Sequence, residues 1–181
     1  MSITVSRLCA DPTLGLTVVA GAAGAHRVIS WAHTSELADP TPWLEGGELL
    51  MTLALNLDLT AASQYAYGER LAGAGVAALA VDTGMIHPVV PAGLLSAGDA
   101  FGLPVLAVPA ATPFLAISRA VISAVTAAQI RAFQQTSKDQ ERLASAALLT
   151  GKSGVVETLA KVLGGSVLLL DAKGRTLVSA G

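Results

Sequence analysis

Cysteine is all but missing from this sequence. Cys9 stands alone among 181 residues, so no internal disulfide can form and no thiolate metal cluster can be built. Charge is scarce as well. Charged residues make up 13% of the chain, the eleven Lys+Arg are scattered, and the formal net charge is −2. No basic stripe results, which argues against nucleic-acid binding by these residues themselves. Long unbroken apolar runs are also lacking. The longest uncharged stretch, Ala100 to Ser118, is interrupted by Gly102, Pro104, Pro109 and Pro113, and Thr83 to Gly98 by Gly84, His87, Pro88 and Pro91. Neither reads as a continuous membrane-spanning helix. The start, Met1-Ser2-Ile3-Thr4-Val5-Ser6-Arg7, has neither the basic opening nor the apolar core of a signal peptide. These absences place the chain in the cytoplasm, away from membranes.

Chemical motifs are equally sparse. There is no Walker-type loop and no G-x-G-x-x-G fingerprint. Gly21-Ala22-Ala23-Gly24 is too short for a phosphate loop. Ser35 lacks the glycines of a nucleophile elbow. His33 with Glu36 supplies two ligands where zinc needs more, and His26 and His87 lie near turn residues. The expectation is therefore no catalytic residue, no metal and no cofactor.

Apolar residues are plentiful, at 52%, and their order is informative. Thr4 to Cys9 reads as a short helix stopped by Pro12, and Leu16 to Ala20 as a strand. Arg27 to Thr34 alternates with the period of a strand. Asp39-Pro40-Thr41-Pro42 breaks the chain, and Trp43-Leu44 starts a brief helical turn ended by Gly46-Gly47. Glu48 to Leu53 is a buried strand. Thr60 caps a helix running to Ala74 and ending at Gly75. Val76 to Val81 is a strand with Asp82 at its exit. Pro91 to Phe101 is a helix, and Leu103 to Val108 a strand with Pro104 at its start. Strand, helix, strand, helix, strand is the rhythm of parallel βαβ units. The fold class is thus α/β: an N-terminal domain with a mostly parallel sheet over 1–112, then a long helix over 113–150, then the start of a second, α+β domain over 151–181.

In the long helix Phe114, Ile117, Val121 and Val125 recur at helical spacing. The alternative is two helices broken near Thr136-Ser137. An apolar stripe on so long a helix calls for a partner, so Phe114, Ile117, Val121 and Val125 are expected to carry homodimerisation, and Val121→Asp with Val125→Asp to weaken it. A regular coiled coil is not expected, because the heptads fail between Gln134 and Arg142. Beyond Thr150-Gly151 come a helix over Val155 to Leu163 and a hairpin, Val167 to Leu170 and Thr176 to Ser179. A hairpin alone is marginal in water, so Gly181 is not expected to be a natural domain end.

The densest pattern lies between Val28 and Leu53. It places Ser35, Glu36 and Asp39 after one apolar run, then Trp43 and Glu48, and Thr52 at the close of the next. Strand exits are where α/β folds put their sites. Paired carboxylates such as Glu36 and Asp39 can serve acid–base work, but Asp39 before Pro40 reads as a turn residue. Trp31 and Trp43 either pack the core edge or wall a pocket. Ser35, Glu36, Asp39, Trp43, Glu48, Thr52 and Asp82 are the candidate ligand-binding residues, with Glu36 foremost. A carboxylate there favours a ligand bearing N–H groups.

Trp31, His33, Ser35, Glu36, Leu37, Asp39, Pro40, Trp43, Leu44, Gly46, Gly47, Glu48, Leu49 and Thr52 together resemble the signature of the N-terminal domain of PucR-type bacterial transcription regulators. The resemblance covers about residues 5 to 125, and more loosely Leu143 to Gly181, which is similar to the opening of a GAF/PAS-like central domain. It implies ligand sensing and purine-catabolism-type regulation by a dimer that answers to a nitrogen or carbon metabolite. It also implies a DNA-binding helix-turn-helix domain lying further on, so that DNA is a partner only through that domain. Where the family often carries Thr-Thr-Gly, this chain has Thr52-Leu53-Ala54. The rival readings are an α/β enzyme or enzyme accessory domain acting on a small nitrogenous metabolite, with turnover abolished by Glu36→Ala or Glu48→Ala, and a pure dimerisation module without ligand.

Overall fold

The structure, a computed structural model, describes residues 3–181. The chain divides into two compact units, one reaching to Ala128 and one running from Gln129 to Gly181. In the first unit the order is α1 (Val5–Cys9), β1 (Thr17–Ala20), β2 (Trp31–Thr34), β3 (Glu48–Thr52), α2 (Ala61–Gly73), β4 (Ala78–Asp82), α3 (Ala92–Phe101) and β5 (Val105–Val108). Next comes α4 (Phe114–Leu149), whose first part belongs to this unit. The second unit holds the rest of α4, then α5 (Gly151–Leu163), β6 (Val167–Leu170) and β7 (Thr176–Ala180).

Five strands form one sheet in the order β1-β5-β4-β3-β2. The strands β2 to β5 are parallel, and β1 runs antiparallel along β5. The α/β class and mostly parallel sheet therefore stand as expected. Every residue of β3 and β4 is buried, as in sheets covered on both faces. Alternation sorts the side chains. Leu49, Met51, Ala78, Ala80, Leu106 and Val108 enter one core with Leu8, Ile29, Ile117 and Val121. Leu50, Leu79, Val81 and Val105 enter the other with Tyr67, Leu71 and Leu94. The helices α2 and α3 share this second face. Gly68 lets them approach, since a Cβ there would lie 2.6 Å from that of Ala97.

Local signals explain most boundaries. Thr60 accepts a hydrogen bond from the Ser63 N–H and caps α2 as the sequence predicts, and Thr4, which the sequence reads as part of the first helix, caps α1 by accepting the Arg7 N–H. Gly102, with φ of 60°, ends α3. The strand expected from Arg27 is shorter, however. Val28 makes only an isolated antiparallel bridge to Thr4, and the Ile29 N–H donates to Ile3 O. The chain there is tied to α1's approach, and pairing with β3 begins only at Trp31. Both tryptophans are exposed, Trp43 at 73%, so neither packs a core edge. Cys9 is half-buried, and burial pushes its thiol pKa up.

The helix α4 is continuous through Thr136, whose hydroxyl donates to Ala132 O, so the expected alternative of a break there is not seen. By length and composition it is apolar enough to cross a membrane, with an 18-residue window of mean hydropathy 1.3. Within the first unit, however, Ile117 and Val121 are fully buried core residues, and Phe114 and Val125 are partly buried against the same core. The stripe expected to carry dimerisation is therefore partnered inside its own unit. A helix this long covers its strongest apolar face with the nearest apolar sheet before it has any left for a second chain. What it leaves exposed is different: Leu115 and Ile122 in the first unit, Ile130 and Phe133 in the second.

Val121→Asp is accordingly expected to unfold or loosen the first unit rather than to separate a dimer. An unpaired carboxylate there would cost at least about 3 kcal/mol. A urea melt of the variant checks this, and an unchanged midpoint would show that Val121 is not core.

Candidate functional site

The C-terminal ends of β2, β3 and β4 come out side by side, since Thr34 pairs with Met51 and Thr52 with Val81. At this edge the chain leaving β2 and the chain leaving β3 are joined by one side chain. The Glu36 carboxylate accepts the Leu53 N–H at 2.6 Å, the Leu55 N–H at 3.0 Å and the Thr52 hydroxyl at 3.1 Å. Its own carbonyl accepts the Asn56 side-chain amide at 2.7 Å. Thr52 also accepts the Ala54 N–H at 2.9 Å. Successive N–H groups turned inward in this way form an anion nest, and here the anion is part of the chain.

The turn that makes the nest runs through Ala54, which has φ of 57°. Among the described residues it is the non-glycine residue with positive φ. This is the conformation a glycine adopts without strain, and with a Cβ it costs about 1–2 kcal/mol. At the Thr52-Leu53-Ala54 departure noted in the sequence, alanine thus stands in a conformation that favours glycine. Ala54 is buried, and its carbonyl lies 3.4 Å from His87 Nε2.

The other candidate residues are placed as follows. Ser35 is buried beside Glu36, and its hydroxyl accepts the Leu37 N–H at 3.2 Å. Asp82 ends β4, where one carboxylate oxygen accepts the Gly84 and Met85 N–H groups at 2.9 and 2.8 Å. Asp39 is exposed and holds the Thr41 hydroxyl and N–H, which keep its carboxyl below the usual carboxylate range. Glu48 starts β3 and so lies at the opposite end of the sheet, where it accepts the Glu45 and Gly46 N–H groups. Trp43 closes a 3-10 turn and is exposed. The structure therefore gathers Ser35, Glu36 and Thr52, sets Asp82 on the neighbouring strand end, and separates Glu48 from all of them. Asp39, Glu48 and Asp82 turn back onto local N–H groups, and Glu36 onto those of the loop after β3. Among the described residues no three His, Cys, Asp or Glu side chains converge to hold a metal.

Sequence reasoning missed the wall of this edge. Beneath the nest is a void of about 10 Å³, room for one water, bounded by Glu36, Thr52, Tyr67 and Leu94. A cleft of about 230 Å³ adjoins it, sharing Asn56, Leu57 and Tyr67 and adding Ala38, Asp58, Ser63, Ala66 and Arg70. The signal was present: Ser63, Tyr67 and Arg70 are spaced i, i+4, i+7 on α2 and so share one face. Arg70 stands 5.8 Å over the Tyr67 ring, donates to Ala38 O at 3.2 Å and lies 3.8 Å from Asp39. Burial, with the nearby Glu36 charge adding to it, pushes the Tyr67 phenol up to about 12. Exposed Leu37, Leu55, Met85 and Val89 are carried by the loops after the strand ends. In the second unit a separate open groove of about 960 Å³ lies between α4 and α5, lined by mixed charges including Lys138, Asp139, Arg142 and Lys161.

Fold and edge together define an open-sheet α/β domain whose strand-end carboxylates hold loops in place. The chain belongs to the purine catabolism regulatory protein-like family, PucR, which it matches over residues 7–125. It is 36% identical over 136 residues to the transcriptional activator PmfR of Paenarthrobacter nicotinovorans. That match takes in 75% of this chain but spans only 29% of the relative's length. The chain is a member of a regulator family.

Two outcomes are expected at this edge. Glu36→Ala strands the Leu53 and Leu55 N–H groups and should lower stability by about 2 kcal/mol, read by chemical denaturation. A loss under a few tenths would mean the loop is held by something else. For Tyr67 the folded pKa lies above the unfolded value near 10, so the unfolded chain loses its proton first. Stability is fully present below pH 10 and should fall as pH rises towards 12, and Tyr67→Phe should flatten that slope.

Proposed function

We propose that this chain is the regulatory part of a transcription regulator. Its first unit senses a small nitrogen or carbon metabolite, α4 mediates self-association as a homodimer in the cytoplasm, and DNA is contacted by a helix-turn-helix domain outside these residues. The observation that carries this reading is the family match over residues 7–125. The name of the PmfR relative, and the small share of its length that is matched, fit a DNA-binding part lying elsewhere.

A physical route for a signal supports it. Thr52 at the site is the last residue of β3, and Leu49 and Met51 of the same strand share a core with Ile117 and Val121 of α4. A ligand that binds more tightly to one arrangement of the strand ends would bias the seat of α4 by its difference in affinity, and by no more than that.

A second reading, a dimerisation module without ligand, is favoured by one observation. The Glu36 carboxylate already accepts three internal hydrogen bonds. In the enzyme reading Glu36 and Glu48 would have to act on one substrate, yet they belong to opposite ends of the sheet.

Self-association gives the direct test. With the former stripe in the core, the surface left for a second copy includes exposed Ile130 and Phe133, one helical turn apart. Ile130→Glu with Phe133→Glu should convert a dimer to a monomer by light scattering while the urea midpoint of the first unit is kept. A wild-type chain that is monomeric at every accessible concentration would remove self-association from the proposal.

A further inference from the structure

The geometry points to the cleft between the loop after β3 and α2 as a receptor for a small carboxylic acid that also carries an N–H group, with Arg70 taking the carboxylate and Asp58 the N–H. This deepens the sensing role proposed above and rests on it.

Arg70 is aimed but not used up. Its Nη2 is fixed on Ala38 O at 3.2 Å and its guanidinium stands over the Tyr67 ring. Among the described residues its one ion pair is loose, 3.8 Å from Asp39, with both side chains more than two-fifths exposed. Such a surface pair contributes at most about 1 kcal/mol, so a ligand loses little by displacing it. Nη1 makes no hydrogen bond among the described residues. A guanidinium positioned by its neighbours, with donors left over, is suited to a planar carboxylate.

Asp58 supplies the opposite pole. Its two oxygens accept the Thr60 N–H at 2.9 Å and the Ser63 hydroxyl at 3.2 Å. These bonds, the Thr60 N–H first, hold its carboxyl below the usual range, so it is anionic at neutral pH. Each carboxylate oxygen has a second lone pair for a ligand N–H. Leu57 and the Tyr67 ring give the cleft its apolar wall, and Asn56 is already anchored by its amide to Glu36 O.

Size and charge narrow the ligand class. At about 230 Å³ the cleft is below the range for drug-sized ligands, which suits a small metabolite. With Asp39 and Asp58 beside a single arginine the local charge is already negative. A dianion such as phosphate is therefore disfavoured, and a monoanion with a compensating N–H is favoured. The loop that carries Asn56 and Asp58 is the one held by Glu36, so occupancy would bear directly on the strand-end nest.

The test uses the 181-residue chain, ¹⁵N-labelled, titrated with N-acetylglycine as probe, with neutral N-acetylglycinamide and inorganic phosphate as comparisons. Saturable shifts are expected at Asn56, Leu57, Asp58, Tyr67 and Arg70. N-acetylglycinamide, phosphate, and N-acetylglycine on Arg70→Gln should each bind at least about tenfold more weakly, while Arg70→Gln keeps the wild-type melting temperature. Asp58→Asn should weaken the probe and leave its carboxylate dependence intact. Equal binding of the neutral amide or of phosphate, an Arg70→Gln variant that binds like wild type, or no saturable shift would each overturn the proposal. Shifts of α4 residues 114–128 form a separate readout. If the cleft binds as described and those residues stay still, the receptor stands and the sensing reading fails. If Arg70 is idle while another ligand moves them, sensing stands and this cleft does not.

Discussion

One carboxylate holds the strand-end edge of this domain together. Glu36 follows β2 and the loop it grips follows β3, so a single side chain ties two parallel strands beyond the end of their ladder. The arrangement is mutual. A partly buried carboxylate needs donors, and the N–H groups of a chain leaving a sheet need acceptors. Ala54 in the left-handed conformation is what turns the neighbouring N–H groups to the same side. The strain at Ala54 is therefore part of the cost of building the nest, offset by charge-assisted bonds that a regular strand end would not provide.

The sheet beneath connects this edge to two cores. Because β3 and β4 are buried on both faces, consecutive residues alternate between two cores. One core belongs to α2, which walls the cleft, and α3, and the other to α1 and the first turns of α4. Leu49, Leu50 and Met51 of β3 are fully buried, and close-packed interiors transmit strain. This is the physical basis on which a small molecule at one face would be felt by a helix on the other, and it asks nothing of the helix beyond Ala128.

Much of the secondary structure was legible in the sequence because its signals are local. The cap at Thr60, the stop near Gly75, and the apolar runs of β3, β4 and β5 follow from the chemistry of a few adjacent residues. The strand at Arg27 was overextended because alternation says nothing about which neighbour a backbone will find. The apolar stripe of α4 is legible in the sequence, but that it lies against the core of its own unit is not, for the same reason: periodicity shows that a face must be covered and not what covers it.

The candidate site divides along the same line. Sequence alone determined the α/β class, the resemblance to the family and the cluster of polar residues at strand exits, because the apolar runs, the motif residues and the polar positions all lie within short stretches of the chain. Only the tertiary structure decided that Glu36 is spent on the loop after β3, that Glu48 belongs to the far end of the sheet, that Ile117 and Val121 are core, and that Tyr67 and Arg70 wall the cleft. Those facts depend on which strands lie side by side and on which face each helix returns. They arise from contacts between residues distant in sequence, which no local pattern encodes.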